Sequence, residues 1–326
     1  MPAPRQLRGA FTALITPFDT DGSIDQDAYR NLVRRQVDAG IHGLVPCGTT
    51  GETPTLSHEE DEWVIATTVE IANERPSRDR LRIVAGTGSN STQTAIRSTR
   101  RAAGLGVDAA LVVAPYYNKP DQRMMEAHFR AVADEGDLPI VIYNVPGRTG
   151  VNIEPATMMR LAEHPRIVAV KEATANMDQI QAMLRDRPAH FSILSGDDNW
   201  TFPMLAMGAD GIISVASNEI PAEMAALCDA AFAGDWDQAR RIHERWLPLM
   251  KANFAGGPNP SPVKTAMALM ELCGDTMRMP LLPLEEPFRG RMRMLLETLG
   301  LLDGDGAAGP EAAAAHAPAA RTAGRA

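Results

Sequence analysis

Short runs of apolar, often β-branched residues alternate along this chain with longer amphipathic stretches. The runs are Phe11–Thr16, Gly43–Pro46, Arg82–Ala85, Ala109–Ala114, Ile140–Asn144, Ile167–Lys171, Phe191–Leu194 and Gly211–Val215. Several are apolar throughout instead of alternating, the pattern of strands covered on both faces, as in parallel sheets. The intervening stretches read as helices with legible ends. Ser57-His58-Glu59-Glu60 is a capping box that opens a helix reaching about Glu74. Asp25–Ala39 runs to Gly40, Thr92–Ala103 to Gly104 and Asp121–Glu135 to Gly136, each glycine a helix stop.

Eight strand–helix units of this size predict an α/β fold, a (β/α)8 TIM barrel with additional C-terminal helices. A doubly wound sheet is the alternative, and the regularity of eight units favours closure. The expected organisation is a barrel over 1–220, then a helical region over 221–302 with Trp236, Trp246 and Leu249 at helical spacing. Residues 303–326 are rich in Ala, Gly and Pro and hold no aromatic or branched apolar side chain, so a disordered tail is expected there.

Composition narrows the function classes. The 326 residues are 44% hydrophobic, enough for a substantial core, and the net charge of −9 argues against nucleic acid or an anionic membrane as partner. No stretch approaches the roughly 20 continuous apolar residues of a membrane span, and the short polar N-terminus lacks an apolar signal core. Cys47, Cys228 and Cys273 are widely spaced and odd in number, which suggests reduced thiols and a cytoplasmic protein. Cys47 reads as core filling ahead of a nucleophile.

Barrel active sites lie at the carboxyl ends of the strands. The segments falling there are Gly48-Thr49-Thr50-Gly51-Glu52, Gly86-Thr87-Gly88-Ser89-Asn90, Pro115-Tyr116-Tyr117-Asn118, Tyr143-Asn144-Val145-Pro146-Gly147-Arg148, Lys171-Glu172 and Ser195-Gly196-Asp197-Asp198. Three of the four tyrosines cluster at this face. Lys171 follows Ile167-Val168-Ala169-Val170 and leaves an apolar strand directly. An ordinary lysine is neutral in only about one copy in a few thousand at pH 7. An apolar barrel mouth would supply the neutral amine that a Schiff base needs. The other reading of Lys171 is a strand-end cation that reaches solvent or pairs with Glu172. Lys264, after Pro262-Val263, competes as nucleophile but opens a helix instead of ending a strand. Tyr143 ends the neighbouring strand and could relay protons through a second hydroxyl, with Thr50 and Tyr117 available. The Gly48–Gly51 loop either aims backbone N–H groups at a carboxylate or is a plain tight turn. Arg148 is suited to bidentate carboxylate binding, or is a solvated surface arginine.

Other chemistries are absent from the sequence. There is no phosphate-loop motif, Gly86-Thr87-Gly88 lacks the third glycine of a dinucleotide fingerprint, and no G-x-S-x-G elbow occurs. The seven histidines show no H-E-x-x-H and no metal spacing with the cysteines.

Taken in order, Gly9-Ala-Phe-Thr-Ala-Leu-Ile-Thr-Pro17, Gly48-Thr-Thr-Gly-Glu52, Pro115-Tyr-Tyr-Asn118, Tyr143-Asn-Val-Pro-Gly-Arg-Thr-Gly150, Val170-Lys-Glu-Ala-Thr174, Leu194-Ser-Gly-Asp-Asp198 and Pro258-Asn-Pro-Ser-Pro-Val-Lys264 resemble the dihydrodipicolinate synthase family of pyruvate-dependent class I aldolases. The resemblance runs from about Gly9 to Leu302. It implies that Lys171 forms an imine with pyruvate and that Thr50, Tyr143 and Tyr117 form a proton relay, Tyr117 coming from a neighbouring subunit. It implies that the N–H groups of Thr49 and Thr50 hold the pyruvate carboxylate, that the carbonyls of Gly196 and Ile213 face the site, and that Arg148 holds the carboxylate of L-aspartate 4-semialdehyde. It further implies work without metal or organic cofactor, and a homotetramer built as a dimer of dimers. A related 2-keto acid aldolase, of N-acetylneuraminate lyase or 2-keto-3-deoxygluconate aldolase type, is the alternative activity; Arg148 argues against it. Feedback-regulated members of the family bind lysine. His58, Asn90 and Tyr116 match their pocket, but Asp61 stands for a histidine and Thr94 for an acidic residue, so weak or absent lysine inhibition is expected.

Overall fold

The computed structural model describes residues 7–74 and 81–302; the expectation for 303–326 falls outside them. Among the described residues eight strands close a barrel in sequence order: β1 (Gly9–Ala13), β2 (Gly43–Val45), β3 (Arg82–Gly86), β4 (Ala109–Val113), β5 (Ile140–Asn144), β6 (Ile167–Glu172), β7 (Ser192–Ser195) and β8 (Gly211–Ser214). All neighbouring pairs are parallel, and β1 pairs with both β2 and β8. Each apolar run thus holds a strand, with ends that match or shift by one residue in every run but the first. The first run moves most: Leu14–Thr16 lie past β1, in the chain that leads onto the carboxyl face.

Strand parity divides the core in two. Phe11, Val45, Val84, Leu111, Val141, Tyr143, Leu194 and Ile213 fill the barrel interior. Their neighbours Ala10, Leu44, Ile83, Ala110, Ile142, Val170, Ile193 and Ile212 face the helical layer. This two-sided burial is why the strands lack polar alternation. One irregularity matters for function. The β5–β6 ladder steps from Ile140↔Ile167 to Val141↔Ala169, so β6 carries an extra residue. Val168 and Ala169 both join the interior cluster, Val170 turns outward, and the slip brings Lys171 opposite Tyr143 on the inner face.

The helices begin where their caps predict. Asp25, Ser57 and Asp121 each accept a backbone N–H of the first turn, and Ser57 and Glu60 form a reciprocal capping box. Helix Thr92–Gly104 takes in Gly104; the left-handed residue that ends the segment is Gly106. After β8 come helices Pro221–Phe232, Trp236–Ala252, Ser261–Leu269 and Phe288–Leu299. These are the additional C-terminal helices expected from the sequence, and the segment between 270 and 287 holds no helix. Pro280, Pro283 and Pro287 break it, since proline has no backbone N–H to donate. Among the described residues no helix is long and apolar enough to cross a membrane.

Candidate active site

Lys171 is 5% exposed and points into the barrel mouth, its Nζ 4.3 Å from the centre of the Tyr143 ring. Glu172 lies on the opposite face of the strand. Its Oε2 accepts from Asn144 Nδ2 at 3.1 Å and its Oε1 from the Thr174 N–H at 2.9 Å. The period of two in a strand therefore rules out the Lys171–Glu172 pair considered from sequence. Among the described residues Lys171 has no ion pair. Burial lowers its pKa to about 8; Asp197 and Asp198 oppose the shift, and Arg148 adds to it. At pH 7 roughly one amine in ten is then neutral, a gain of more than a hundredfold over a solvated lysine.

Lys264 is also wholly buried, but its ammonium is consumed. Nζ donates to Glu52 Oε1 at 2.7 Å, to the Thr16 carbonyl at 2.9 Å and to the Thr276 carbonyl at 2.7 Å. Three acceptors saturate its three donors. Lys264 is a strut between the 48–52 loop and the C-terminal helices, and it leaves Lys171 as the available amine.

The loop after β2 is held under strain. Cys47 (φ 56°) and Glu52 (φ 54°) flank it in the left-handed region that side chains other than glycine rarely adopt. Among the described residues no acceptor takes the N–H of Thr49 or Thr50. The two hydroxyls separate. Thr50 is 2% exposed, and its Oγ1 accepts from Asn259 Nδ2 at 3.0 Å. The hydroxyl close enough to favour the charged form of the Tyr143 phenol is that of Thr49. This differs from the sequence expectation, which paired Tyr143 with Thr50. The distinction between adjacent threonines rests on the direction in which a strained loop turns them. Burial pushes the Tyr143 phenol up to about 12, with Arg148 pulling it down, Asp197 pushing it up and Thr49 lowering it, so it keeps its proton at neutral pH.

Arg148 sits in the helical turn Pro146–Thr149 after β5; its Nη2 donates to the Asn259 carbonyl at 3.3 Å, and it forms no ion pair among the described residues. Thr49, Thr50, Tyr143, Arg148, Lys171, Gly196, Asp197 and Asn259 are among the residues lining one cavity over the barrel mouth. A cavity of about 240 Å³ adjoins it and shares Thr49, Tyr143 and Arg148. Gly196 has no room for a side chain: a Cβ there would stand 2.6 Å from that of Ala173. Ile213 lies deeper, fully buried on β8 opposite Phe11, and Val215 lines the mouth above it. Tyr117 stands apart from the cavity, 88% exposed and at φ 72°. In the sequence Asn259 stands out only as part of the Pro258–Lys264 motif. Its place against Thr50, 209 residues away in sequence, had no local signal. Among the described residues no group of three or more His, Cys, Asp or Glu side chains converges as a metal site.

Fold and site define a closed parallel barrel with a desolvated lysine amine at the mouth of its sixth strand. The chain belongs to the dihydrodipicolinate synthetase family, whose model matches residues 6–299. It is 48% identical over 298 residues to a 4-hydroxy-tetrahydrodipicolinate synthase of Koribacter versatilis, covering 91% of this chain and 97% of that one. Among solved structures it resembles dihydrodipicolinate synthase from Aquifex aeolicus (TM-score 0.86, 44% identity, 90% and 99% of the two chains). It also resembles the chloride-inhibited dihydrodipicolinate synthase of Acinetobacter baumannii complexed with pyruvate (TM-score 0.87, 40% identity, 91% and 100%).

Proposed function

We propose that this protein is a 4-hydroxy-tetrahydrodipicolinate synthase, a lyase of lysine and diaminopimelate biosynthesis that condenses pyruvate with L-aspartate 4-semialdehyde through an imine on Lys171. The observation that carries the reading is the buried Lys171 amine, held beside a protonated phenol and without an ion pair among the described residues.

The neutral amine adds to C2 of pyruvate and water leaves, giving the imine. The cationic imine acidifies the methyl group, which loses a proton to give an enamine. The enamine carbon attacks the aldehyde, whose oxygen takes a proton. The substrate's own amine then attacks the imine carbon, closes the ring and releases Lys171. No step transfers electrons to an external acceptor. Tyr143 serves as proton donor and acceptor, with Thr49 as its immediate hydroxyl partner and Tyr117 of a neighbouring subunit extending the relay. The exposure of Tyr117 and its distance from the cavity of its own chain support that assignment, and with it a homotetramer. The unused N–H groups of Thr49 and Thr50 suit the pyruvate carboxylate, and Arg148 suits that of the semialdehyde. The carbonyls of Gly196 and Ile213 complete the proposed wall. The proposed location is the cytoplasm.

Borohydride reduction with pyruvate, followed by peptide mapping, tests the nucleophile: the reduced pyruvyl mass is expected on Lys171. A coupled assay with dihydrodipicolinate reductase tests the substrate. Turnover of sialic acid or 2-keto-3-deoxygluconate in place of aspartate semialdehyde would overturn the reading.

A further inference from the structure

Glu219 and Asn253 meet in the interior behind β8, and the proposed chemistry uses neither. Glu219 follows the short helical turn Ala216–Asn218 after β8, and Asn253 ends the helix Trp236–Ala252. Asn253 Nδ2 donates to Glu219 Oε2 at 2.6 Å. Both side chains are buried, Glu219 at 1% exposure and Asn253 at 0%. Each keeps one further oxygen, Glu219 Oε1 and Asn253 Oδ1, buried and without a hydrogen-bond partner among the described residues. Two orphaned acceptors in a single contact are costly.

The charged groups around Glu219 do not compensate an ionised carboxylate. Arg35, on the helix Gln26–Asp38, donates Nη1 and Nη2 to the backbone carbonyls of Asn218 and Glu219, at 2.8 and 2.6 Å, and shares its charge with Glu223 of the helix Pro221–Phe232. Asp198, after β7, adds a second carboxyl, itself held by Ser214 Oγ at 2.5 Å and by the N–H groups of Val215 and Ala216, both at 3.1 Å. Burial pushes the Glu219 carboxyl well above its ordinary 4.5; Asn253 and Arg35 pull it down, and Asp198 pushes it further up.

A carboxylic acid offers an O–H donor beside a carbonyl acceptor, and a primary amide offers an N–H donor beside its own carbonyl. Set face to face, the two close a ring of two hydrogen bonds. One proton on Glu219 Oε1 satisfies both orphaned oxygens at once, with Oε1 as donor and Asn253 Oδ1 as acceptor. We propose that Glu219 is a neutral carboxylic acid in the folded protein, and that its cyclic pair with Asn253 is a proton-dependent clasp between the exit of β8 and the C-terminal helices. Loss of the proton to solvent sets two acceptors against each other and opens the clasp. The clasp backs the mouth wall: Val215, four residues before Glu219, and Phe254, next to Asn253, both line the cavity that holds Lys171. Asn218, beside Glu219, ties the same segment to the end of β1, donating to the Ala13 carbonyl at 2.8 Å and accepting from the Ile15 N–H at 3.2 Å.

Glu219→Gln tests the clasp, because an amide in place of the acid keeps both hydrogen bonds of the ring and does not titrate. Denaturant unfolding of the full-length wild type and of Glu219→Gln is compared at one protein concentration from about pH 5.5 to pH 8. The unfolded wild type sheds this proton above 4.5 while the folded protein keeps it, so the wild type loses stability as pH rises and the variant is spared that share. The ratio of wild-type to variant unfolding constants is expected to rise about tenfold per pH unit until the folded acid itself titrates. The infrared spectrum of wild type minus Glu219→Gln at pH 7 is expected to show the carbonyl stretch of a protonated carboxylic acid. A variant less stable than wild type at pH 8, a stability difference independent of pH, or a carboxylate band in the difference spectrum would show an ionised Glu219, bridged to Asn253 by a water or a cation, and would overturn the proposal. Failure of Glu219→Gln to fold would overturn it as well, since glutamine preserves both bonds of the clasp.

Discussion

Lys171 and Tyr143 share one rung of the β5–β6 ladder, side chains on the same inner face, the lysine Nζ 4.3 Å from the phenol ring centre. The shared rung depends on the extra residue in β6, which resets the parity of the strand just before its reactive end. The proposed nucleophile and proton donor are thereby fixed on adjacent strands of the barrel, where their separation is set by backbone hydrogen bonds and not by a loop.

Imine formation should follow the titration of Lys171. With the pKa lowered to about 8, the reactive neutral amine grows with pH up to that value and is then constant. The rate of borohydride-trapped imine formation at low pyruvate is expected to fall about tenfold per pH unit below pH 8 and to level off above it. A midpoint near 10 would mean that burial does not tune this amine. Lys171→Arg should trap nothing, since a guanidinium stays protonated.

Arg148→Ala should weaken the aldehyde substrate selectively. A hydrogen bond to a charged group is worth about 1.5–3 kcal/mol, which corresponds to roughly 10- to 100-fold in kcat/KM for aspartate semialdehyde. Pyruvate trapping should survive. Unchanged steady-state constants for the semialdehyde would reopen the sugar-acid reading.

The two threonines should separate in kinetics. Thr49→Val removes the hydroxyl beside Tyr143 and should lower kcat by about 100-fold, the low end for a lost proton-transfer group. Thr50→Val removes the acceptor of Asn259 and should act mainly on binding. Exchange of the pyruvate methyl protons with solvent deuterium reports the relay without the second substrate. A larger kcat loss in Thr50→Val than in Thr49→Val would restore the arrangement inferred from sequence.

The Lys264–Glu52 pair is buried on both sides. Lys264→Met strands Glu52 as a lone buried carboxylate and should cost about 3–5 kcal/mol. The double variant Lys264→Met/Glu52→Gln should recover part of that loss, because no unpaired charge remains. Denaturant unfolding of both checks this; equal stability of the single and double variants would show the charges to be uncoupled.

L-Lysine should inhibit weakly. Asp61 is the carboxylate that could replace the charge missing at Thr94, but its Oδ1 already accepts from Thr53 Oγ1 at 2.9 Å and burial pushes its pKa up. The Thr94 N–H is engaged in capping by Ser91 Oγ. Half-inhibition below about 1 mM at subsaturating pyruvate, near −4 kcal/mol of binding, would show that Asp61 is free to hold an ammonium.

What the chain spells out locally is the barrel itself. The eight strand runs, the capping residues Asp25, Ser57 and Asp121, and the emergence of Lys171 from an apolar strand are all written within a few residues of where they act. Period and end signals are short-range properties, so the order of elements and the placement of the Lys171 amine at a strand end were legible. The tertiary structure decided what depends on partners far along the chain. It turned Thr49 instead of Thr50 toward Tyr143, brought Asn259 to Thr50 across 209 residues, and joined Lys264 to Glu52 across 212. It also left the Asp197 carboxylate without a partner among the described residues while committing that of its neighbour Asp198 to the fold. Each of these outcomes is settled by the packing of distant segments against a common mouth, where a rotation of one residue in a strained loop exchanges one hydroxyl for the next, and no local periodicity records that choice.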